Sequence, residues 1–271
     1  MQIKLVIFDL DNTLTPSKCD PHPDMVERLE RLLETRWVAV ISGCKWEQFL
    51  RQLVGFIDPS LYPRLIIVPV SGGQVLRWQR EDWGLVAETP RGISFDQIVT
   101  AFEQSFAACG FERPEQTWGP QFEDRICQVT FSALGQEAPH EAKKNWDPDF
   151  SKRRPLVAEI SRRLPSLLVR AGGATSIDVS GFEKDHGLNQ VIEHMQAEGI
   201  TEDNTLFIGD AIFPGGNDYA VVKTDIRYLQ TRSLEDTQSI ITELLTAEPA
   251  VLARARRGPP TDGSAAGQSA P

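Results

Sequence analysis

The feature that most constrains this chain is its first strand-length apolar run. Ile3–Phe8 has the length of a buried strand and stops on Asp9-Leu10-Asp11-Asn12-Thr13. A run that is apolar on both faces must be covered on both, as in the middle of a parallel sheet. The pattern then repeats. Asp24–Glu34 carries Met25, Leu29, Leu32 and Leu33 at helical spacing. Trp37–Ile41 is a second apolar run, closed by Ser42-Gly43. Trp46–Val54 reads as a helix and Leu65–Val70 as a third strand. Strands alternating with helices predict an α/β fold on a parallel sheet.

The middle of the chain changes character. Ile93, Ile98, Val99, Phe102 and Phe106 form one helix stripe. Cys127, Val129 and Phe131 alternate with Gln128, Thr130 and Ser132, the period of a strand with one polar face. Leu156–Leu164 reads as a helix, and Leu167–Val169 and Ser176–Val179 read as strands, which predicts an inserted α+β domain with an antiparallel sheet. The first pattern returns with the helix stripe Leu188, Val191, Ile192 and Met195, the strand Thr205–Ile208 and a short strand at Val221–Lys223. The expected organisation is a core of residues 1–87 and 178–254, an insertion of residues 88–177, and a disordered tail at 255–271 rich in Pro, Gly, Ser and Ala.

Charge narrows the function. Lys+Arg 28 against Asp+Glu 38 leaves a net charge of −10. Nucleic acid or an anionic membrane would require a basic face, so neither is expected as a partner. No apolar run approaches the roughly 18–20 residues of a membrane span. The first ten residues lack the signature of a secretory leader. Cys19, Cys44, Cys109 and Cys127 stand apart without C-x-x-C spacing, which points to a reducing, cytoplasmic compartment.

Four elements carry candidate chemistry. In open α/β sheets ligands bind beyond the carboxyl ends of the strands. Asp9 and Asp11, in a tight loop at such an end, can divide labour, one attacking an electrophile and the other moving protons. Thr13 is placed to hydrogen-bond the loop and fix both. An arbitrary D-x-D is more often an Asx turn; the position after the first buried strand favours chemistry. Ser42-Gly43 ends the second strand, where a hydroxyl and the following N–H groups suit a phosphate oxygen. Gly209-Asp210 and Gly215-Gly216-Asn217-Asp218 follow another buried strand, offering a hard oxygen ligand and a backbone free to curl around one. Lys184, within Glu183-Lys184-Asp185, would alone be a solvated charge. Together these groups match the needs of phosphoryl transfer. A carboxylate about 4 Å from a phosphate oxygen meets about 4 kcal/mol of repulsion per charge pair at an effective dielectric of roughly 20. Attack on phosphorus therefore needs positive charge. Lys184 supplies one unit, and a divalent cation held by Asp9, Asp210 and the backbone carbonyl of Asp11 would supply two. All-oxygen donors favour Mg²⁺, and the isolated histidines offer no zinc site.

In that order, DLDNT, ISG, Lys184 and GDAIFPGGND resemble the four motifs of the haloacid dehalogenase (HAD) superfamily of phosphotransferases. The insertion between the second and third motifs resembles the C2-capped, type IIB branch. GDAIFPGGNDYAVV, FEDRICQVTFSALGQ and AGGATSIDVSGFEKDHGL are similar to segments of the eukaryotic-type phosphomannomutases and their bacterial relatives, and the likeness runs to about residue 250. It implies a Rossmann-like parallel-sheet core with an inserted α+β cap. Asp9 would be the nucleophile that becomes an aspartyl phosphate, and Asp11 the general acid/base. Ser42 and Lys184 would hold the transferred phosphoryl group. Asp210 would ligate Mg²⁺, with Asn217 and Asp218 supporting the metal or Lys184. Lys18, Gly43, Ser176 and Asp178 would contact substrate.

The resemblance also carries departures. Two cap positions where the mutases place arginines for the non-reacting phosphate are Glu123 and Gln136 here, with Arg125, Lys143 and Lys144 as candidates to compensate. Each charge-assisted hydrogen bond lost is worth roughly 1.5–3 kcal/mol. The expectation is a Mg²⁺-dependent phosphatase acting on a small phosphorylated metabolite, a sugar phosphate. A phosphohexose mutase is the alternative, and a non-catalytic sensor on the same scaffold the second. The expected state is a monomer or a cap-mediated homodimer, with Trp118, Phe122 and Phe131 expected in the cap core and an interface surface as the alternative for them.

Overall fold

The computed structural model describes residues 2–125, 127–172 and 174–259. They divide into two compact units, one of residues up to Glu88 and from Glu183 onward, the other Thr89–Phe182. The first unit begins with β1 (Leu5–Asp9), α1 (Pro23–Leu33), β2 (Trp37–Ile41), α2 (Trp46–Gln52), β3 (Leu65–Val68), β4 (Gln74–Gln79) and β5 (Asp82–Glu88). The second holds α3 (Phe95–Cys109), β6 (Phe122–Asp124), β7 (Gln128–Ser132), α4 (His140–Trp146), α5 (Arg153–Arg163), β8 (Leu168–Ala171) and β9 (Ser176–Ser180). The first unit resumes with α6 (Lys184–His194), β10 (Thr205–Gly209), β11 (Arg227–Gln230), α7 (Leu234–Thr246) and α8 (Glu248–Arg254).

In the first unit the described strands form one sheet in the order β11-β10-β1-β2-β3-β4-β5. The strands from β11 to β3 run parallel, and β4 and β5 turn back antiparallel. The central β1 is buried on both faces, as its unbroken apolar character requires. Val6 and Phe8 join Leu29 and Leu32 of α1 and Ile240 and Ile241 of α7, whereas Leu5 and Ile7 join Leu188 and Val191 of α6. Each fully buried side chain of this size contributes roughly 1.5–3 kcal/mol. The parallel register sets Phe8 beside Ile208 and Asp9 beside Ile41, so the carboxyl ends of β10, β1 and β2 lie side by side.

Two expectations are corrected in this unit, and one hairpin is added. Val221–Lys223 belongs to a 3₁₀ turn, Tyr219–Lys223, with Val221 in the core, and the strand is β11. A three-residue apolar stretch buries equally well as a turn, so periodicity does not separate the two. The β4–β5 hairpin lacks a sequence signature because its two-residue connection is Arg80-Glu81, both at positive φ (52° and 66°), without the Gly or Asn that marks such turns. Residues 255–258 are not loose tail: Arg256 bridges to Tyr228, whose hydroxyl donates to the Gly258 carbonyl. The rest of the tail expected at 255–271, residues 260–271, lies outside the described residues.

In the second unit the described strands form an antiparallel sheet, β6-β7-β9-β8. Phe102 and Phe106 of α3 and Leu156 and Ile160 of α5 pack on Val129, Phe131, Ile177 and Val179. The α3 helix starts on a Ser94/Gln97 capping box and stops at Gly110 in the left-handed region. Phe131 is in the core, Phe122 packs against it, and Trp118 is only half-buried. The expected return to the core at 178 shifts to Glu183, because β9 pairs along its length with β7 and β8. Among the described residues no helix is long and apolar enough to cross a membrane.

Candidate active site

The charged centre of the first unit lies where β1 and β10 end. Lys184, the first residue of α6, is 3% exposed, and its Nζ donates to Asp9 Oδ1 and, at 2.6 Å, to Asp218 Oδ1. The other Asp218 oxygen accepts from the Ala211 N–H at 3.1 Å. Gly209 is required beside it, since a Cβ there would sit 2.4 Å from Asp218 Oδ2. The origin of α6 is set by another close approach: a Cβ on Gly187 would lie 2.4 Å from the Cα of Gly72. Lys184 is unremarkable as a lone charge in the sequence, and tertiary packing makes it the cation of a buried triad.

Carboxylate oxygens of Asp9, Asp210 and Asp218 all lie within 4.8 Å of one another. The electrostatics follow from three acids sharing one ammonium. Burial, then the Asp218 charge, push the Asp9 carboxyl well above its ordinary range, against the pull of Lys184. Burial and Asp218 likewise raise Asp210 to about 6, opposed by Lys184 and an Asn12 hydrogen bond. Burial alone would lower Lys184, but Asp218 and Asp9 outweigh it and hold the ammonium above its usual range. An all-oxygen, charge-deficient donor set of this kind fits a hard divalent cation such as Mg²⁺. Asp9 and Asp210 could hold it, since both oxygens of Asp218 are already engaged, by Lys184 and by the Ala211 N–H, whereas Lys184 takes only Oδ1 of Asp9.

The Asp11 carboxylate is not in the acidic group. Its Oδ1 accepts from the Lys18 N–H at 2.8 Å and from Gln52 Nε2 at 3.1 Å. Lys18 thus touches Asp11 through its main chain, while its side chain is exposed. Thr13 does not make the expected bond. Its buried hydroxyl has no partner among the described residues, and the loop is closed by backbone bonds from Leu14 and Thr15 to the Leu10 carbonyl. Ser42 is buried at the end of β2, and its Oγ accepts from the Cys44 N–H at 3.3 Å, which leaves its own proton to donate. Gly43 follows it and is half-buried. Asn217 is exposed.

Ser176 and Asp178 lie on β9 in the second unit, on the face opposite Ile177 and Val179. Thr130 Oγ1 donates to Asp178 Oδ1 at 2.7 Å, and burial raises the Asp178 carboxyl. Two groups escape sequence reasoning. Gln52 sits on the buried side of α2 with Phe49, and a polar residue in an apolar stripe is the available signal. Asp147 and Arg153 form a buried ion pair, and Arg153 Nη1 also donates to the carbonyls of Gly172 and Ser176. Nothing in their spacing announces it.

No protein-family model matches the chain. The phosphomannomutase of Saccharomyces cerevisiae is 23% identical over 258 residues, covering 89% of this chain and 93% of that one. The phosphomannomutase of Schizosaccharomyces pombe is 25% identical over 242 residues, covering 80% and 84%. Among solved structures, an IMP-bound variant of the Plasmodium falciparum IMP-nucleotidase shares the fold with a TM-score of 0.66 at 13% identity, over 90% of this chain and 67% of that one. A haloacid dehalogenase-like hydrolase from Bacteroides thetaiotaomicron does so with a TM-score of 0.54 at 16% identity, over 77% and 82%. The Aspergillus fumigatus trehalose-6-phosphate phosphatase gives 0.53 at 16%, over 91% and 94%. With its four motifs in order and their charged side chains gathered at the ends of β1 and β10, the chain is similar to phosphomannomutases in sequence and shares the fold of a haloacid dehalogenase-like hydrolase and of a sugar-phosphate phosphatase.

Proposed function

We propose that this protein is a Mg²⁺-dependent phosphatase of small phosphate esters, in the sugar-phosphate class, working through an aspartyl phosphate on Asp9. The observation that carries the reading is the Asp9–Lys184–Asp218 triad with Asp210 beside it, at the carboxyl end of the central strand. An Asp9 oxygen attacks phosphorus as the ester P–O bond breaks, and Asp11 gives its proton to the departing oxygen. Asp11 then takes a proton from the water that attacks the phosphoryl group, which releases phosphate and restores Asp9. Lys184 offsets the charge of the incoming phosphate, and the Ser42 hydroxyl donates to a phosphoryl oxygen. When bound by Asp9, Asp210 and the Asp11 carbonyl, Mg²⁺ supplies further positive charge against the dianion.

Hydrolysis is favoured over mutase chemistry by what the second unit does with its cations. Arg125 donates through Nε and Nη2 to Glu123 Oε2, and Lys143 Nζ donates to the Gln136 carbonyl. Two of the three candidates to grip a second phosphate, Arg125 and Lys143, are therefore engaged by the very residues that stand where the mutases carry arginine. The phosphomannomutase relatives support the second reading, a phosphohexose mutase. A phosphate-release screen over sugar, polyol and nucleoside phosphates with Mg²⁺, repeated with a hexose bisphosphate, tests both. Free phosphate from the parent and none from Asp9→Asn supports the phosphatase. Conversion of hexose 1-phosphate to 6-phosphate with little free phosphate replaces it by the mutase. No turnover in either format sinks both.

A further inference from the structure

Gln52 is a polar side chain with 4% exposure at the end of α2. A buried amide must place two N–H donors and a carbonyl oxygen. Gln52 Nε2 donates to Thr15 Oγ1 at 2.7 Å and to Asp11 Oδ1 at 3.1 Å, and Gln52 Oε1 accepts from Gln48 Nε2 at 2.9 Å. The direction of the amide follows from its neighbour, since Asp11 Oδ1 acts as an acceptor toward the Lys18 N–H and the NH₂ group must face it. The Lys18 N–H reaches the same oxygen at 2.8 Å. Both hydrogen bonds that the described residues give the Asp11 carboxylate thus end on Oδ1, and Oδ2 receives none. A carboxyl clamped through one oxygen has its plane set and its other oxygen assigned to carry a proton.

We propose that Gln52 is a positioning residue for the acid/base step: it holds Asp11 by Oδ1 so that Oδ2 does the proton transfer. The proton on Oδ2 passes to the ester oxygen as its bond to phosphorus breaks, leaving Asp11 ionised. Oδ2 then takes a proton from water as the water oxygen bonds to phosphorus and the Asp9 O–P bond breaks. Substrate and water are the only reactants consumed. Gln48, holding the Gln52 carbonyl, keeps the amide from rotating. This inference rests on the roles proposed above for Asp9 and Asp11.

The test uses the dependence of kcat/KM on the leaving group, because kcat/KM reports the steps up to the phosphoenzyme. An alkyl phosphate such as glycerol phosphate needs its departing oxygen protonated, whereas the nitrophenolate of p-nitrophenyl phosphate leaves without help. Gln52→Met, of similar volume and lacking the donor, is expected to lower kcat/KM for the alkyl ester about 10–100-fold, the scale of a misplaced general acid. For the aryl ester the fall is expected to stay under about threefold. Gln48→Ala, a half-buried position, is expected to shift the alkyl-to-aryl ratio in the same sense by at least about threefold. Equal losses on the two esters mean that Gln52 only supports the fold, and they overturn the inference. Should Gln52→Met fail to fold, an unchanged ratio in Gln48→Ala overturns it. A parent protein that releases phosphate from neither ester with Mg²⁺ present refutes the roles of Asp9 and Asp11 themselves, and this inference with them.

Discussion

Replacing Asp9 by asparagine is expected to make the protein more stable while abolishing turnover. The introduced amide keeps a carbonyl oxygen where Lys184 Nζ now finds Asp9 Oδ1, so the hydrogen bond survives and only the charge is lost. At the 4.8 Å bound on the separations within the acidic group, and an effective dielectric of about 20, each carboxylate repels Asp9 by about 3.5 kcal/mol, or about 7 kcal/mol for Asp210 and Asp218 together. The ammonium, at a hydrogen-bond separation of roughly 2.8 Å, returns about 6 kcal/mol. The balance is about 1 kcal/mol against the charge, to which burial of Asp9 at 3% exposure adds more. A gain of about 1–3 kcal/mol follows, or a few degrees in Tm per kcal/mol for a protein of this size. The sign agrees with linkage. Because the folded-state pKa of Asp9 is raised, its contribution is fully present below the unfolded carboxylate range and is lost as pH rises through the folded value. Thermal melts in EDTA at pH 7 therefore place Asp9→Asn above the parent, and the gap closes as pH falls toward about 4. Added Mg²⁺ raises the parent more than the variant, since binding to the native state adds stability by mass action. A metal-free variant that melts below the parent, or one that still releases phosphate, refutes the reasoning.

Lys184→Met leaves Asp9 and Asp218 buried without their cation and is expected to cost about 3–5 kcal/mol in urea unfolding at pH 7; a loss under about 1 kcal/mol contradicts it. Arg153→Met strands the Asp147 carboxylate and removes donors from the Gly172 and Ser176 carbonyls. It is expected to cost about 3–5 kcal/mol, and the double variant with Asp147→Asn to recover part of that loss, as a double-mutant cycle in urea measures. Mg²⁺ affinity by calorimetry is expected to rise about tenfold between pH 5 and pH 7.5 as Asp210, raised to about 6, gives up its proton, and a flat profile excludes Asp210 as a ligand.

Much of this architecture is legible in the linear chain because its signals are local. An apolar run buried on both faces, such as Leu5–Phe8, has few alternatives to a central parallel strand, and a chain of such runs separated by helix stripes predicts the sheet. The acids and serine at strand ends are legible for the same reason, since a strand's end is a property of the strand. Other features need the folded molecule. Lys184 and Asp218 are 34 residues apart and Lys184 and Asp9 are 175 apart, and only the pairing of β10 with β1 and the Gly72–Gly187 contact bring their charges together. The Asp147–Arg153 pair, the turn of the Asp11 carboxylate toward Gln52, and the Thr13 hydroxyl without a partner among the described residues depend on which neighbour each polar group meets. Composition and spacing determined the layers and the chemistry available. The tertiary structure decided which charges are buried together, because Coulomb energy and desolvation depend on distance in space and not on distance along the chain.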